Sequence, residues 1–180
     1  KLWDIAVVDQ PLPDNIAIEV AVCDAERAIA AEPPESADCI VSSSTVQWFN
    51  SLPSFIDECR RVLRPGGKLV FSTYGPGTFG ELRGLGLPLP SYPTEDALLS
   101  MLGNGWDVIA HECEQLTVDF MSPAEVLTHI KLTGVNAIHR HPRPVGELRR
   151  ILAEYPANDS GRFPLTYQPI YVIAKKQISL

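Results

Sequence analysis

Residues 59–73, CRRVLRPGGKLVFST, set a helix end, a sharp stop and an apolar run within fifteen residues, and few folds accept that succession. Upstream, Leu52, Phe55, Ile56, Cys59, Val62 and Leu63 recur at spacings of three and four, so they share one face of a helix. Ser51 is its N-cap, and Pro53 stands where a missing N–H does little harm. Arg60, Arg61 and Arg64 gather at the C-terminal end, where positive charge suits the helix dipole, and Pro65-Gly66-Gly67 stops the helix. Leu69, Val70 and Phe71 then suit a strand covered on both faces. The unit is that of an α/β, doubly wound sheet.

A chain of 180 residues, 45% of them hydrophobic, holds one α/β domain with a sizeable core and is not disordered. Its apolar runs fall short of the roughly 20 residues of a membrane span, and no basic-plus-apolar leader stands at the start. The chain opens with Lys1, which leaves room for a removed targeting segment. Cys23, Cys39, Cys59 and Cys113 lie too far apart for a zinc knuckle or redox motif, so they read as reduced core thiols of a cytoplasmic protein. A net charge of −7 disfavours a general nucleic-acid binder.

Residues 2–9 and 16–24 are β-rich and each ends in an aspartate, with the breaker QPLPD between them; residues 38–43 form another strand, and residues 68–74 the strand after the helix. The Gly/Pro-rich segment 75–93 is a lid-like cover in which GTFGELRGL makes a short helix. A helix follows over 94–102, ended by Gly103 and Gly105, and residues 106–120 alternate as a long or bent strand. Ser122-Pro123-Ala124-Glu125 opens a helix with a capping box, closed by Gly134. A second helical piece covers 145–154, and LTYQPIYVIAK (165–175) is a closing strand that Pro169 places near an edge or bulge. The whole reads as a single domain, 1–180.

Ligands of open parallel sheets sit beyond the carboxyl ends of the strands, which singles out Asp9, Asp24 to Glu26, Ser42 to Ser44 and Thr73 to Gly75. An aspartate at a strand end accepts from ribose hydroxyls or an adenine amino group, or it caps the next turn. Gln47-Trp48 lays an amide and an indole against a ligand, or buries the indole in the core. His111, His129, His139 and His141 lack metal-type spacing, so no metal is expected, and no nucleophile, base or carboxylate pair is arranged for covalent or hydrolytic catalysis. From His129 to Arg150 basic residues outnumber the one acid, Glu147, which is either a solvated face or a dock for an acidic partner.

Three blocks resemble the class I S-adenosylmethionine-dependent methyltransferases and, within them, the malonyl-acyl-carrier-protein O-methyltransferases of biotin synthesis. They are DAE with ADCIVSSSTVQWFNSLP (24–26 and 37–53), RVLRPGGKLVFSTYGPGTFGELR (61–83) and GRFPLTYQPIYVIAK (161–175). The resemblance implies a Rossmann-like sheet, mostly parallel with an antiparallel closing strand, and S-adenosylmethionine as the donor. It implies that Asp24 and Ala25 border the adenine, Ser42 and Ser43 the methionyl part, and Asp9 the ribose. Gln47, Trp48 and Tyr74 would border the acceptor, with Arg83 and Arg162 as possible grips on its carboxylate. The implied acceptor is the free carboxylate of a malonyl thioester on acyl carrier protein, already a nucleophile, so positioning matters more than a general base. Lys131, Arg140, Arg143, Arg149 and Arg150 would dock that acidic carrier. A methyltransferase for a free small acid and a non-catalytic interaction module are the alternatives.

The family's glycine-rich loop has no counterpart before Asp9. Only fourteen residues separate Asp9 from Asp24, whereas a parallel crossover needs at least about 10 to 12 beyond its strands. Either the chain lacks its N-terminal part, and with it the first strand, or the protein is degenerate. A bare apolar edge at Cys39 to Ser42 favours the first, and the intact protein is expected to supply that strand, or another segment to fill the gap.

Overall fold

The computed structural model describes residues 2–3, 17, 20–87, 89–133 and 145–178. Asp9, Gly134, His139, Arg140, His141 and Arg143 lie outside them. Two short strands, β1 (Leu2–Trp3) and β2 (Val20–Ala21), pair in parallel. Helix α1 (Ala25–Ala31) follows, which the strand reading of 16–24 did not anticipate; its cap is Asp24, whose Oδ1 accepts from Arg27 N at 3.0 Å. Next come β3 (Ala37–Ser43), a 3₁₀ turn over Val46–Trp48, α2 (Leu52–Val62) and β4 (Leu63–Tyr74). Ser51 caps α2 by accepting from Ser54 N at 3.3 Å, as its position predicts.

The remaining elements are α3 (Gly80–Gly84), α4 (Glu95–Leu102), β5 (Trp106–Cys113), β6 (Leu116–Phe120), α5 (Pro123–Leu132), α6 (Val145–Glu154), β7 (Phe163–Tyr167) and β8 (Pro169–Lys176). At the start of α5, Ser122 accepts from Glu125 N at 3.3 Å. Glu125 reaches back to Met121 N at 3.0 Å, one residue before the cap, so the box is displaced by one position.

The main sheet has the order β3-β4-β8-β5. β3 and β4 are parallel and β8 is antiparallel to both neighbours, so three strands point one way and the closing strand the other. Burial along β4 alternates: Leu69, Phe71 and Thr73 are buried, whereas Val70, Ser72 and Tyr74 are only half-buried. Among the described residues the sheet is therefore sealed on one face, by α1, α2 and α4, and half-covered on the other, which corrects the expectation of a run buried on both sides. On the far edge β3 has no neighbour among the described residues, and Val41 is 70% exposed; neither the expected first strand nor a substitute for it is seen there among the described residues.

β6 and β7 form a separate antiparallel ladder carrying a second core, with Phe79 and Leu82 beside α3, Val126 and Ile130 of α5, Ile151 of α6, and Leu165. Thus the long strand expected over 106–120 and the closing strand expected over 165–175 are each two strands. The break has a local cause. Gln168 gives its N–H to Thr78 Oγ1 at 3.0 Å and its carbonyl accepts from Gly75 N at 2.7 Å, so its backbone is withdrawn from the ladder. Pro169 follows as the first residue of β8, an interior strand, where its missing N–H is tolerated; it marks neither an edge nor a bulge.

Arg61 shows how the helix-end arginines are used. Its guanidinium donates to the carbonyls of Ile29, Ala30 and Glu32 at 2.7–3.2 Å, satisfying the open C-terminus of α1. Only Cys59 is a core thiol; Cys23, Cys39 and Cys113 are exposed and all four are free, correcting the expectation of four core cysteines.

Candidate functional site

Two hollows open at the carboxyl ends of β3 and β4, the place where an open α/β sheet presents ligands. Ser44 makes the turn there in the left-handed region, φ 49°, with its N–H held by Ser72 Oγ at 3.0 Å. The 3₁₀ turn that follows carries Gln47 and Trp48. Gln47 donates its amide N–H to Ser44 O, and its Oε1 is buried without a partner among the described residues, an open acceptor.

The smaller hollow, about 230 Å³, is lined by Asp24, Ala25 and Glu26 at the start of α1 and by Thr45, Trp48 and Asn50 opposite them. Glu26 fastens its two sides. Its carboxylate accepts from Asn50 N at 2.9 Å, Asn50 Nδ2 at 2.7 Å and Ser51 N at 3.2 Å. The Asn50 backbone N–H, with the Ser51 and Asn50 side-chain bonds behind it, holds this carboxyl below its ordinary value. A lowered folded value means the stabilisation is full above the ordinary value of 4.5 and is lost as pH falls through the folded one. Glu26→Gln should therefore flatten the acid side of the urea midpoint against pH. Solvent screening keeps the loss at neutral pH to on the order of 1 kcal/mol. An unchanged acid slope would remove Glu26 from this role.

The larger cavity, about 430 Å³, lies between the two cores. The main sheet contributes Ser72, Tyr74 and Tyr171, the second unit contributes Val118, His129 and Tyr167, and Thr78, Phe79 and Tyr92 come from the segment after β4. The Tyr74 ring lies 6.0 Å from that of Tyr92 and 5.9 Å from that of Tyr167, and His129 Nε2 is 2.8 Å from the Tyr167 hydroxyl. Burial pushes both the Tyr92 and the Tyr167 phenol up to about 12, so they remain O–H groups across physiological pH. Trp48, 47% exposed, belongs to the walls of both hollows and joins them.

The structure thus brings Asp24, Ala25 and Trp48 together in one hollow and Gln47, Trp48 and Tyr74 in the other. Ser42 and Ser43 end β3 without lining either hollow, and Arg83 and Arg162 are exposed residues outside the larger one. Lys131 and Arg149 are exposed on α5 and α6, while Arg150 pairs with Glu154 at 2.9 Å and donates to Leu85 O at 3.0 Å. Tyr92, His129 and Tyr167 were not singled out as acceptor-side residues by their sequence positions. Their one local signal is residue type, an aromatic or a histidine, which many core residues share.

The segment after β4 is zipped to the β7–β8 junction. Besides the Gln168 bonds, Gly77 N donates to Gln168 Oε1 at 2.7 Å, Phe79 N to Thr166 O at 2.7 Å, and Glu81 accepts from Thr166 N at 3.1 Å and Thr166 Oγ1 at 2.6 Å. A side chain at Gly75 would put its Cβ 2.6 Å from Gln168 Oε1, so it would push that amide away from Gly77 N. The motifs GPGT-x-x-ELR and PLTYQP are two halves of one joint.

Comparison with known proteins agrees with this geometry. Residues 4–71 match a family model described as a methyltransferase domain. The malonyl-acyl-carrier-protein O-methyltransferase of Acinetobacter baylyi is 32% identical over 175 residues, covering 94% of this chain and 68% of that protein. Those of Porphyromonas gingivalis and Prosthecochloris aestuarii are 34% and 36% identical, covering 77% and 81% of this chain and 56% and 55% of theirs. The chain therefore spans about two thirds of the first relative and a little over half of the other two. Among solved structures, a Bacillus halodurans protein described as a methyltransferase superposes with a TM-score of 0.59 at 16% identity, over 89% of this chain and 72% of its own. The YcgJ protein of Bacillus subtilis gives 0.55 at 16% identity, over 83% and 68%. At such identity these two speak for the fold alone, a Rossmann-like sheet of the class I methyltransferase type. Identity above 30% with a relative of which the chain covers two thirds settles the family: this chain belongs to the malonyl-acyl-carrier-protein O-methyltransferases.

Proposed function

We propose that this chain carries the acceptor cavity, and one wall of the donor site, of an S-adenosylmethionine-dependent O-methyltransferase. Its acceptor is the free carboxylate of a malonyl thioester borne on acyl carrier protein. The observation that carries the reading is Trp48, one indole shared by a small polar hollow and a larger aromatic cavity, so that two ligands lodged there meet end to end. The hollow fits the adenine end of the donor: Asp24 and Asn50 supply polar edges, and Ala25 and Trp48 supply flat apolar surface. Ser42 and Ser43, at the end of β3, are assigned to its methionyl part, and Asp9, outside the described residues, to the ribose.

When bound, S-adenosylmethionine supplies a methyl group on a sulfonium. A carboxylate oxygen held in line with that carbon would form the C–O bond as the C–S bond breaks, giving ester and thioether with no proton transferred. Opposite charges cancel along this path, and an apolar enclosure strengthens their attraction, so Phe79, Val118 and the tyrosine rings favour it by excluding water. Gln47 and Trp48 fix the line of approach. The 75–93 segment supplies part of the cover through Thr78, Phe79 and Tyr92.

Lys131 and Arg149, exposed on α5 and α6, are assigned with Arg140 and Arg143 to the docking of the acidic carrier, since opposite charge steers encounter. The setting is the cytoplasm, where free thiols stay reduced. Transfer of labelled methyl from S-adenosylmethionine to malonyl-carrier protein tests the reading: base-labile label on the malonyl carrier is expected, and none on the unacylated carrier.

A further inference from the structure

We infer that His129 and Tyr167 form the grip on the acceptor's carboxylate, in place of Arg83 and Arg162; this rests on the acceptor reading above. Among the described residues that line the cavity none is Lys, Arg, Asp or Glu, and His129 brings an imidazole to it. A carboxylate leaving water for an apolar-walled space requires strong donors. Three phenols provide them: Tyr74, Tyr92 and Tyr167 all line the cavity, with the rings of Tyr92 and Tyr167 6.0 Å and 5.9 Å from that of Tyr74.

The 2.8 Å contact between His129 Nε2 and the Tyr167 hydroxyl decides which way that hydroxyl points. With its hydrogen on Nε2 the imidazole donates to the Tyr167 oxygen and leaves the phenolic hydrogen free for the cavity. The ring is fixed for this purpose by Phe120, 5.1 Å away centroid to centroid, and by its place on α5 beside buried Val126 and Ile130. The pair binds a charged acceptor and loses its hold on the uncharged methyl ester, so it favours substrate over product. Tyr167 touches the acceptor; His129 is a positioning residue that acts through it.

The test uses malonyl-pantetheine and its methyl ester as calorimetric probes, together with steady-state transfer to malonyl-carrier protein. Tyr167→Phe keeps the ring against Phe79 and removes only the hydroxyl. It should weaken malonyl-pantetheine binding and raise KM by about 10- to 100-fold, the range of a hydrogen bond to a charged group. Methyl ester binding should be unchanged, with kcat much less affected than KM. His129→Leu should move the same ratio by about tenfold, and His129→Gln, whose amide can still donate to Tyr167, should recover part of it. Matching thermal midpoints confirm that the variants fold. The inference is overturned if acid and ester affinities fall together, or if neither falls while the wild type transfers methyl. A wild type that binds the acid no better than the ester and transfers nothing overturns the acceptor reading and this grip with it.

Discussion

Phe71→Ala is expected to lower the unfolding free energy by about 3–5 kcal/mol, the range for emptying a buried aromatic site. Phe71 is 2% exposed, at the middle of β4, between Ser42 on β3 and Val172 on β8, and it joins Phe55, Ile56 and Leu98 in the main core. The rigid sheet on one side and helices on the other leave little freedom to collapse into the space. For a domain of this size the loss corresponds to a fall in Tm of roughly 6–20 °C. Val70→Ala is the control, since its half-buried side chain on the other face should give about 1 kcal/mol or less. Urea midpoints read both, and equal effects would mean the two faces of the sheet are covered alike.

The second large effect is Glu81→Ala. Its carboxylate accepts from both the backbone N–H and the hydroxyl of Thr166, two bonds to an ionised group at a half-buried place, so removal should cost about 2–3 kcal/mol. Glu81→Gln retains an acceptor and should lie between. The consequence reaches beyond stability. α3 presents Leu82 and the preceding Phe79 to the second core, and Phe79 also walls the larger cavity. Protection of the Phe79 and Thr166 amides against hydrogen exchange should fall with the stability. If Glu81→Ala leaves both untouched, the joint between 75–83 and 166–168 is held by its backbone bonds alone.

That joint shows where sequence reasoning succeeded and where it could not. The α2–β4 unit was legible because its signals are local: a capping serine, a period near 3.6, then an apolar run. The separation of β7 from β8 was not, because the groups that withdraw Gln168 from the ladder come from Gly75 and Thr78 in a distant stretch of chain. Helix α1 escaped because Asp24 ends an apolar segment and reads equally as the end of a strand or the cap of a helix; the Ala-rich run AERAIAA after it was the signal available. The cysteines misled because residue type predicts average burial, whereas Cys39 and Cys113 sit on exposed positions of β3 and β5.

The site was legible in the same uneven way. Asp24, Gln47, Trp48 and Tyr74 stand at or just beyond strand ends, and the rule for open sheets points to such places. Tyr92, His129 and Tyr167 come from a loop, a helix and a strand of the second unit, and only the packing of that unit against β4 and β8 brings them to the same space. Charge guided the choice of Arg83 and Arg162 as carboxylate grips. In the proposed grip, the phenols that line the cavity offer donors without the desolvation penalty of a fixed guanidinium.

The most direct test of the account is methyl transfer itself. The chain is incubated with S-adenosylmethionine labelled in its methyl group and with malonyl-carrier protein, and the base-labile label on the carrier is counted against unacylated carrier and malonyl-CoA. The account predicts label on the malonyl form alone among the carriers, with malonyl-CoA a poorer acceptor. No transfer to the malonyl carrier, accompanied by no calorimetric binding of S-adenosylmethionine, would contradict it.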